Sequence, residues 1–156
     1  MISFSFSLAA WAAFAQIAGS EAVQPCSASH GPEVGVGILC DRARIALDER
    51  ELSVAADLAE TASELAPSYP GTWILRAEVA QGSRLLNEAR DHYETAMGLQ
   101  PQSAGLLMAI GDFEAEEGNV RGAAVLYDRA AKIDPDFPGL RERIEAIPNG
   151  PEANEI

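Results

Sequence analysis

Two cysteines and a nearby histidine are the residues of this sequence that could carry chemistry. Cys26 and Cys40 are its only cysteines, with His30 and Asp41 close by. In an exported chain, an even cysteine count is most simply a disulfide, and closing a loop of about 15 residues contributes about 3 kcal/mol in the chain-entropy model. Cys26, His30 and Cys40 could instead serve a metal or redox role, although their spacing matches no paired-cysteine zinc motif. Free thiols are the third alternative, and the sequence leaves all three open.

The other polar residues form no catalytic pattern. The second histidine, His92, follows Asp91 on a helix face that we expect to be exposed, whereas a general base needs a converging nucleophile and a pocket. The sequence contains no glycine-rich phosphate loop, nucleophile elbow or paired zinc motif. We therefore expect no enzymatic activity, no metal and no cofactor.

The charge balance restricts the class of partner. The sequence has 24 acidic and 11 basic residues, which give a formal net charge of -13. A surface of this sign repels a phosphate backbone. We therefore expect a protein or peptide partner and no nucleic acid.

The first 22 residues have the composition of a leader. Residues 1–19 carry no charged side chain, are dominated by apolar residues and are followed by small ones, as in a secretory signal peptide, although a basic n-region is missing. Serines and Gln16 make this stretch borderline for spanning a bilayer. Residues 1–22 are thus predicted to be a cleaved signal peptide, with a retained membrane anchor or a structural segment as the alternatives. Either of the first two places the chain in the periplasm or cell envelope, or outside a cell that lacks an outer barrier.

Beyond a predicted irregular linker at 23–35, the chain is organised by a repeat of 34 residues. Two consecutive segments between residues 70 and 137 share side-chain types at the same five offsets. These residues are Ala89, Tyr93, Ala96, Leu99 and Pro101 in one segment, and Ala123, Tyr127, Ala130, Ile133 and Pro135 in the other. Such a period is typical of a solenoid, in which each unit stacks on its neighbour to bury a shared face.

Apolar spacing and the Pro and Gly breakers predict three helix pairs and a final short helix. The predicted ranges are 38–50, 53–66, 71–81, 87–99, 104–116, 121–133 and 139–147, with a disordered tail at 148–156. Asn87 is a plausible N-cap. Leu65 and its equivalents, Leu99 and Ile133, are expected to close the core, and Arg143 of the final helix is expected to face outward.

These residues resemble the tetratricopeptide repeat (TPR) family. Its signature places Trp, Leu, Gly and Tyr in the first helix of a unit, then Ala, an aromatic residue and Pro in the second. Trp73 and Gly111 match the first helix, and Ala followed by Tyr recurs in the second helix of two units. The resemblance implies an all-α, right-handed superhelical solenoid of three helix-turn-helix repeats with a C-terminal capping helix. The units would be 36–69, 70–103 and 104–137, with a cap at 138–147, and the aromatic residues of the repeats would serve packing.

The resemblance also implies a binding surface. Members of the family line a concave face with the first helix of each unit, and peptides lie along it. The residues at the inward positions that form our candidate site are Arg44, Ile74, Glu78, Gln81, Met108 and Asp112. This set would suit an extended segment with apolar and basic side chains, and the alternative is an ordinary solvated helix face.

One subclass of the family grips the C-terminal carboxylates of chaperones with a clamp of basic and amide side chains. The corresponding places here hold Cys40, Arg44, Leu75, Gly105 and Ala109. Only Arg44 is basic, which argues against chaperone-tail binding. The sequence therefore predicts an exported TPR protein that acts as a protein-protein interaction module, an adaptor or assembly factor in the cell envelope. The alternatives are a membrane-tethered subunit of a larger complex and the metal or redox role.

Overall fold

The computed structural model describes residues 26–27 and 33–147. The predicted leader, most of the predicted linker, His30 and the predicted disordered tail lie outside these residues. The described part of the chain falls into two compact units, which differ from the three 34-residue repeats. The first unit ends at Gln102, and the second unit begins at Ser103.

The described residues form seven α-helices and no strand, which confirms the all-α, helix-turn-helix prediction. In chain order the helices are α1 (Val34–Asp48), α2 (Leu52–Leu65), α3 (Pro70–Gly82), α4 (Leu86–Leu99), α5 (Ala104–Glu116), α6 (Val120–Ile133) and α7 (Leu140–Ala146). Helices α1 with α2, α3 with α4, and α5 with α6 pack as antiparallel pairs, and α7 packs against α6. The right-handed course of the whole array stays a prediction.

One helix begins several residues from its predicted start, one predicted N-cap is wrong, and the other helix starts agree to within one residue. Helix α1 begins at Val34 instead of 38, inside the predicted linker, because no proline follows Pro32 and Glu33 has the extended backbone of an N-cap residue. Helix α4 is preceded by Leu85, so Asn87 lies in the first turn and is not the N-cap. True side-chain caps occur in the second unit, where Ser103 accepts from the Leu106 amide at 3.2 Å and Asn119 from the Gly122 amide at 3.1 Å.

The first helix of each repeat ends in the same turn. Arg50, Arg84 and Gly118 stand 34 residues apart and have left-handed backbones, with φ of 64°, 63° and 83°. The amide of the following residue donates across the helix end to the carbonyl five residues back, at 2.8, 2.9 and 2.8 Å respectively. This is the Schellman motif, whose left-handed position favours glycine. Only the third repeat has a glycine at this position, Gly118.

The core of the first unit is lined by small side chains of α2. Ala55, Ala59 and Ala62 are at most 1% exposed and lie in one cluster with Leu75 and Val79 of α3 and with buried residues of α1. Spacings of four and three place the alanines on one side of α2. Small side chains there let neighbouring helices approach closely.

The expectation that Leu65, Leu99 and Ile133 close the core is wrong. Their exposed fractions are 63%, 42% and 44%, whereas the alanine three residues before each is fully buried. The core-facing row of each second helix already ends on that alanine. The leucine or isoleucine falls to one side of this row, at the edge of the last turn.

Candidate functional site

In the first unit, the structure brings two of the predicted site residues into contact. Arg44 of α1 and Glu78 of α3 form an ion pair, with 3.7 Å between Arg44 Nε and Glu78 Oε2. Their side chains are 13% and 28% exposed. Ile74 lies one turn before Glu78 on α3, and Gln81 lies three residues after it near the end of the helix. The ion pair therefore joins the first helices of two consecutive repeats.

A disulfide brings the backbone carbonyl of Cys26 into contact with Arg44. Cys26 and Cys40 are bonded, their Cα atoms lie 5.6 Å apart, and both residues are fully buried. The Arg44 guanidinium, one turn after Cys40, donates from Nη1 to the backbone carbonyl of Cys26. Arg44 is thus held between the carbonyl of a residue that precedes α1 and the carboxylate of Glu78. No residue pattern predicts this contact, because its acceptor is a backbone carbonyl.

Burial and the Arg44 charge have opposite effects on the pKa values of the acidic groups in this cluster. Burial raises the pKa of the Glu78 carboxyl, and the nearby Arg44 charge works in the other direction. Burial likewise raises the pKa of the Tyr69 hydroxyl, again against the effect of Arg44. A cationic group placed beside Glu78 would favour its charged form, so this carboxylate is suited to receiving a basic side chain.

The two apolar members of the predicted site are less accessible than expected. Ile74 is 2% exposed and Met108 is 6% exposed. A ligand gains hydrophobic free energy only from surface that it removes from water, at about 25 cal/mol per Å². These side chains are already out of water, so they can offer a partner little, and changing them to Glu would test folding instead of binding.

In the second unit, Asp112 is part of a side-chain network. Arg143 Nε of α7 donates to both carboxylate oxygens at 2.6 and 2.8 Å, and the Tyr127 hydroxyl of α6 donates to Oδ1 at 2.7 Å. Burial and the bond to Asp112 raise the pKa of Tyr127 well above its ordinary value. Arg143 also donates to the Gly139 carbonyl at 3.0 Å. The network ties three helices together, and the Asp112 carboxylate already has charged and polar partners.

Arg143 therefore points inward, which corrects the expectation that it faces outward. It follows Leu140 by three residues, and Leu140 is 1% exposed, so the two share a face of α7. This spacing was the available signal in the sequence. Its partner Asp112 could not be found in that way, because 31 residues separate them.

The conspicuous aromatic residues serve packing. Tyr93 and Tyr127 are 4% and 3% exposed. The Tyr127 ring lies over Gly111 of its own repeat, where an added Cβ would fall 2.4 Å from Cε1. It therefore fills the space between α5 and α6.

Trp73 links its repeat to the end of the preceding one. Its indole donates from Nε1 to the Pro67 carbonyl at 2.8 Å, the Arg76 guanidinium lies 5.4 Å from the ring centroid, and the His92 ring lies 5.8 Å away. His92 is consequently half-buried and not on an open face as expected. Burial, aided by the Arg76 charge, lowers the pKa of its imidazole.

The described residues contain no group of three or more side chains arranged to hold a metal ion. The two cysteines are engaged in the disulfide, so neither offers a thiolate in this state, and His30 lies outside the described residues. Across 26–27 and 33–147, no helix combines the length and apolarity needed to cross a bilayer.

Comparison of the sequence with models of known families and with curated proteins finds no match. Among solved structures, the chain is similar to the TPR domain of Sgt2 from Aspergillus fumigatus. The superposition has a TM-score of 0.63 and 21% sequence identity, and it covers 73% of this chain and 77% of that one. The fold is therefore that of a TPR domain, which confirms the resemblance read from the repeat.

Proposed function

We propose that this TPR-fold chain is an exported protein-interaction module, which works without catalysis as an adaptor or assembly factor in the cell envelope. The observation that carries the proposal is the fold, since paired helices of this kind present extended surfaces to other proteins. Its export is inferred from the leader-like composition of residues 1–22. A disulfide between Cys26 and Cys40 is in keeping with an oxidising compartment.

Within this proposal, the binding position in the first unit is the surface around Arg44, Glu78 and Gln81. Glu78 keeps 28% of its side chain open and forms an ion pair of 3.7 Å, longer than a close charged hydrogen bond. A basic side chain from a partner can approach the same carboxylate. The expected ligand is therefore an extended segment whose contact residue here is lysine or arginine.

Crosslinking and affinity capture from the cell envelope test the proposal. We expect the chain to recover defined partner proteins, and we expect Glu78→Gln to reduce their recovery because it removes the charge that receives the basic side chain. Glu94→Gln is the matched control, since Glu94 is an exposed residue of α4. Equal recovery by the two variants, with unchanged circular dichroism, would rule out Glu78 as the contact.

Export is tested separately by fractionation and N-terminal sequencing of the mature protein. A new N-terminus near residue 22 in the envelope fraction supports a cleaved leader. An intact N-terminus in the membrane fraction would support the tethered alternative. Recovery of the intact chain in the cytoplasm would contradict export altogether.

A further inference from the structure

The contact between repeats one and two shows which surface of α3, the first helix of its repeat, packs against the preceding helix α2. On α3, Thr72, Leu75 and Val79 are 0%, 0% and 4% exposed. Leu75 and Val79 lie in the same core cluster as the alanine row of α2, and the Thr72 hydroxyl donates to the Ala66 carbonyl at 3.2 Å. This side of α3 is therefore a receiving surface for a helix with small side chains.

The same surface of α1 has no such neighbour in the described residues. The positions 34 residues before Thr72, Leu75 and Val79 are Ile38, Asp41 and Ile45. Ile38 is 47% and Ile45 is 56% exposed, and Val34, one turn before Ile38, is 70% exposed. Val34, Ile38 and Ile45 follow one another at spacings of four and seven, so they lie on one side of α1. We call these three residues the outer stripe.

Charge indicates what could cover the outer stripe. Asp41 stands among these apolar residues where α3 has Leu75. The exposed charged residues of α1 and its two ends are the acids Glu33, Asp48 and Glu49 and the bases Arg42 and Arg50, so that acids outnumber bases here. A second copy of this chain would bring a net charge of -13 to an already acidic surface. A partner with basic residues beside its contact row would meet complementary charge.

We propose that the outer stripe binds an amphipathic helix of another protein, with small apolar side chains along its contact row and basic residues at its edges. The small residues follow from the α2 row that covers the equivalent surface of α3. The basic edges follow from the exposed acids Glu33, Asp48 and Glu49. This surface lies on the side of α1 away from its buried residues and is independent of Glu78.

A synthetic helix based on α2 is the probe. The peptide has the sequence of residues 52–66, which keeps the alanine row, with its exposed acids changed to lysine. These changes are Asp57→Lys, Glu60→Lys and Glu64→Lys. We expect the fluorescent peptide to bind the full chain saturably, as measured by anisotropy. We expect the peptide with the original acids to bind about ten-fold more weakly.

Variants of the full chain locate the binding. Ile38→Glu combined with Ile45→Glu should weaken binding by about ten-fold or more, a difference of about 1.4 kcal/mol or more, because it places two charges in the contact. Val125→Glu is the matched control, since Val125 of α6 is 59% exposed and should leave binding unchanged. Circular dichroism verifies that each variant is folded.

Several results would overturn the proposal. No binding of the lysine peptide, equal binding of both peptides, or equal binding by the Ile38→Glu, Ile45→Glu variant each contradicts it. Self-association that this variant abolishes would assign the outer stripe to a second copy. If deletion of residues 1–22 created binding that the full chain lacks, the occupant would be the chain's own N-terminal segment.

Discussion

Gly111→Ala tests how closely the two helices of the third repeat pack. An alanine Cβ at this position would lie 2.4 Å from Tyr127 Cε1 and 2.8 Å from Cδ1. Carbon atoms ordinarily approach to about 3.5–4.0 Å. The ring cannot readily move away, because Tyr127 is 3% exposed and its hydroxyl is bonded to Asp112 at 2.7 Å.

Two opposing effects set the magnitude. Alanine gains about 1 kcal/mol over glycine in a helix, whereas overpacking a close contact costs about 1–3 kcal/mol. We therefore expect Gly111→Ala to destabilise the chain by about 1 kcal/mol. Gly98→Ala is the matched control, since an added Cβ at Gly98 meets nothing within 4 Å. It should be neutral or stabilise the chain by up to about 1 kcal/mol.

Urea unfolding followed by far-UV circular dichroism measures the comparison. With a slope of about 1–3 kcal/mol per M, the midpoints of the two variants should differ by about 1 M. In a Tyr127→Leu background, the penalty of Gly111→Ala should disappear, because the obstructing ring is gone. A Gly111→Ala chain as stable as Gly98→Ala, or a penalty that persists without the ring, would refute the packing argument.

Three further perturbations follow from the described contacts. Asp112→Asn weakens the charged bonds to Arg143, and because the pair is only partly buried we expect a loss of about 1–2 kcal/mol in urea unfolding. Reduction of the Cys26–Cys40 bond should lower the free energy of unfolding by about 3 kcal/mol, and the double Cys→Ser variant should not respond to reductant. Burial lowers the pKa of His92 from 6.5, so the unfolded state binds its proton more readily. Its contribution to stability is present above pH 6.5 and is lost as the pH falls through the folded pKa, and His92→Gln should flatten this dependence.

Each of these has a result that would contradict it. Asp128→Asn is the control for Asp112→Asn, since Asp128 pairs with Lys132 at 2.6 Å on an exposed surface, where such pairs contribute about 0–1 kcal/mol. An equal loss of stability in both variants would show that the network around Asp112 stabilises the fold no more than an exposed ion pair does. If reductant left the free energy of unfolding of the wild-type chain unchanged, the disulfide would not be stabilising. An unchanged pH profile in His92→Gln would assign the dependence to another group.

The sequence predicted the elements well because helix ends depend on local residue types. The Pro and Gly breakers indicated these ends, and the 34-residue spacing identified the pairing. Side-chain exposure was harder to predict, since it depends on what packs from elsewhere. Leu65 has the right type for a core and lies outside it, and Ile74 has the right position for a binding face and is covered.

The contacts of the candidate site residues could not be predicted from the sequence. The repeat register predicts inward places for Arg44 and Glu78, and these stay a prediction, whereas their ion pair is an observation that the register did not predict. The Cys26 carbonyl on Arg44 depends on how the chain enters α1, and no residue pattern encodes that path. The partner of Asp112 was hidden for a related reason, because it comes from a helix beyond the repeat.

The three Schellman turns should differ in the free energy needed to open the helix end beside them. A side chain in the left-handed region costs about 1–2 kcal/mol, and Arg50 and Arg84 incur this cost while Gly118 does not. Opening a helix end in either of the first two repeats releases that strain, so amide hydrogens beside these turns should exchange with solvent sooner than those beside Gly118. An array with one repeated architecture thus opens at different free energies along its length.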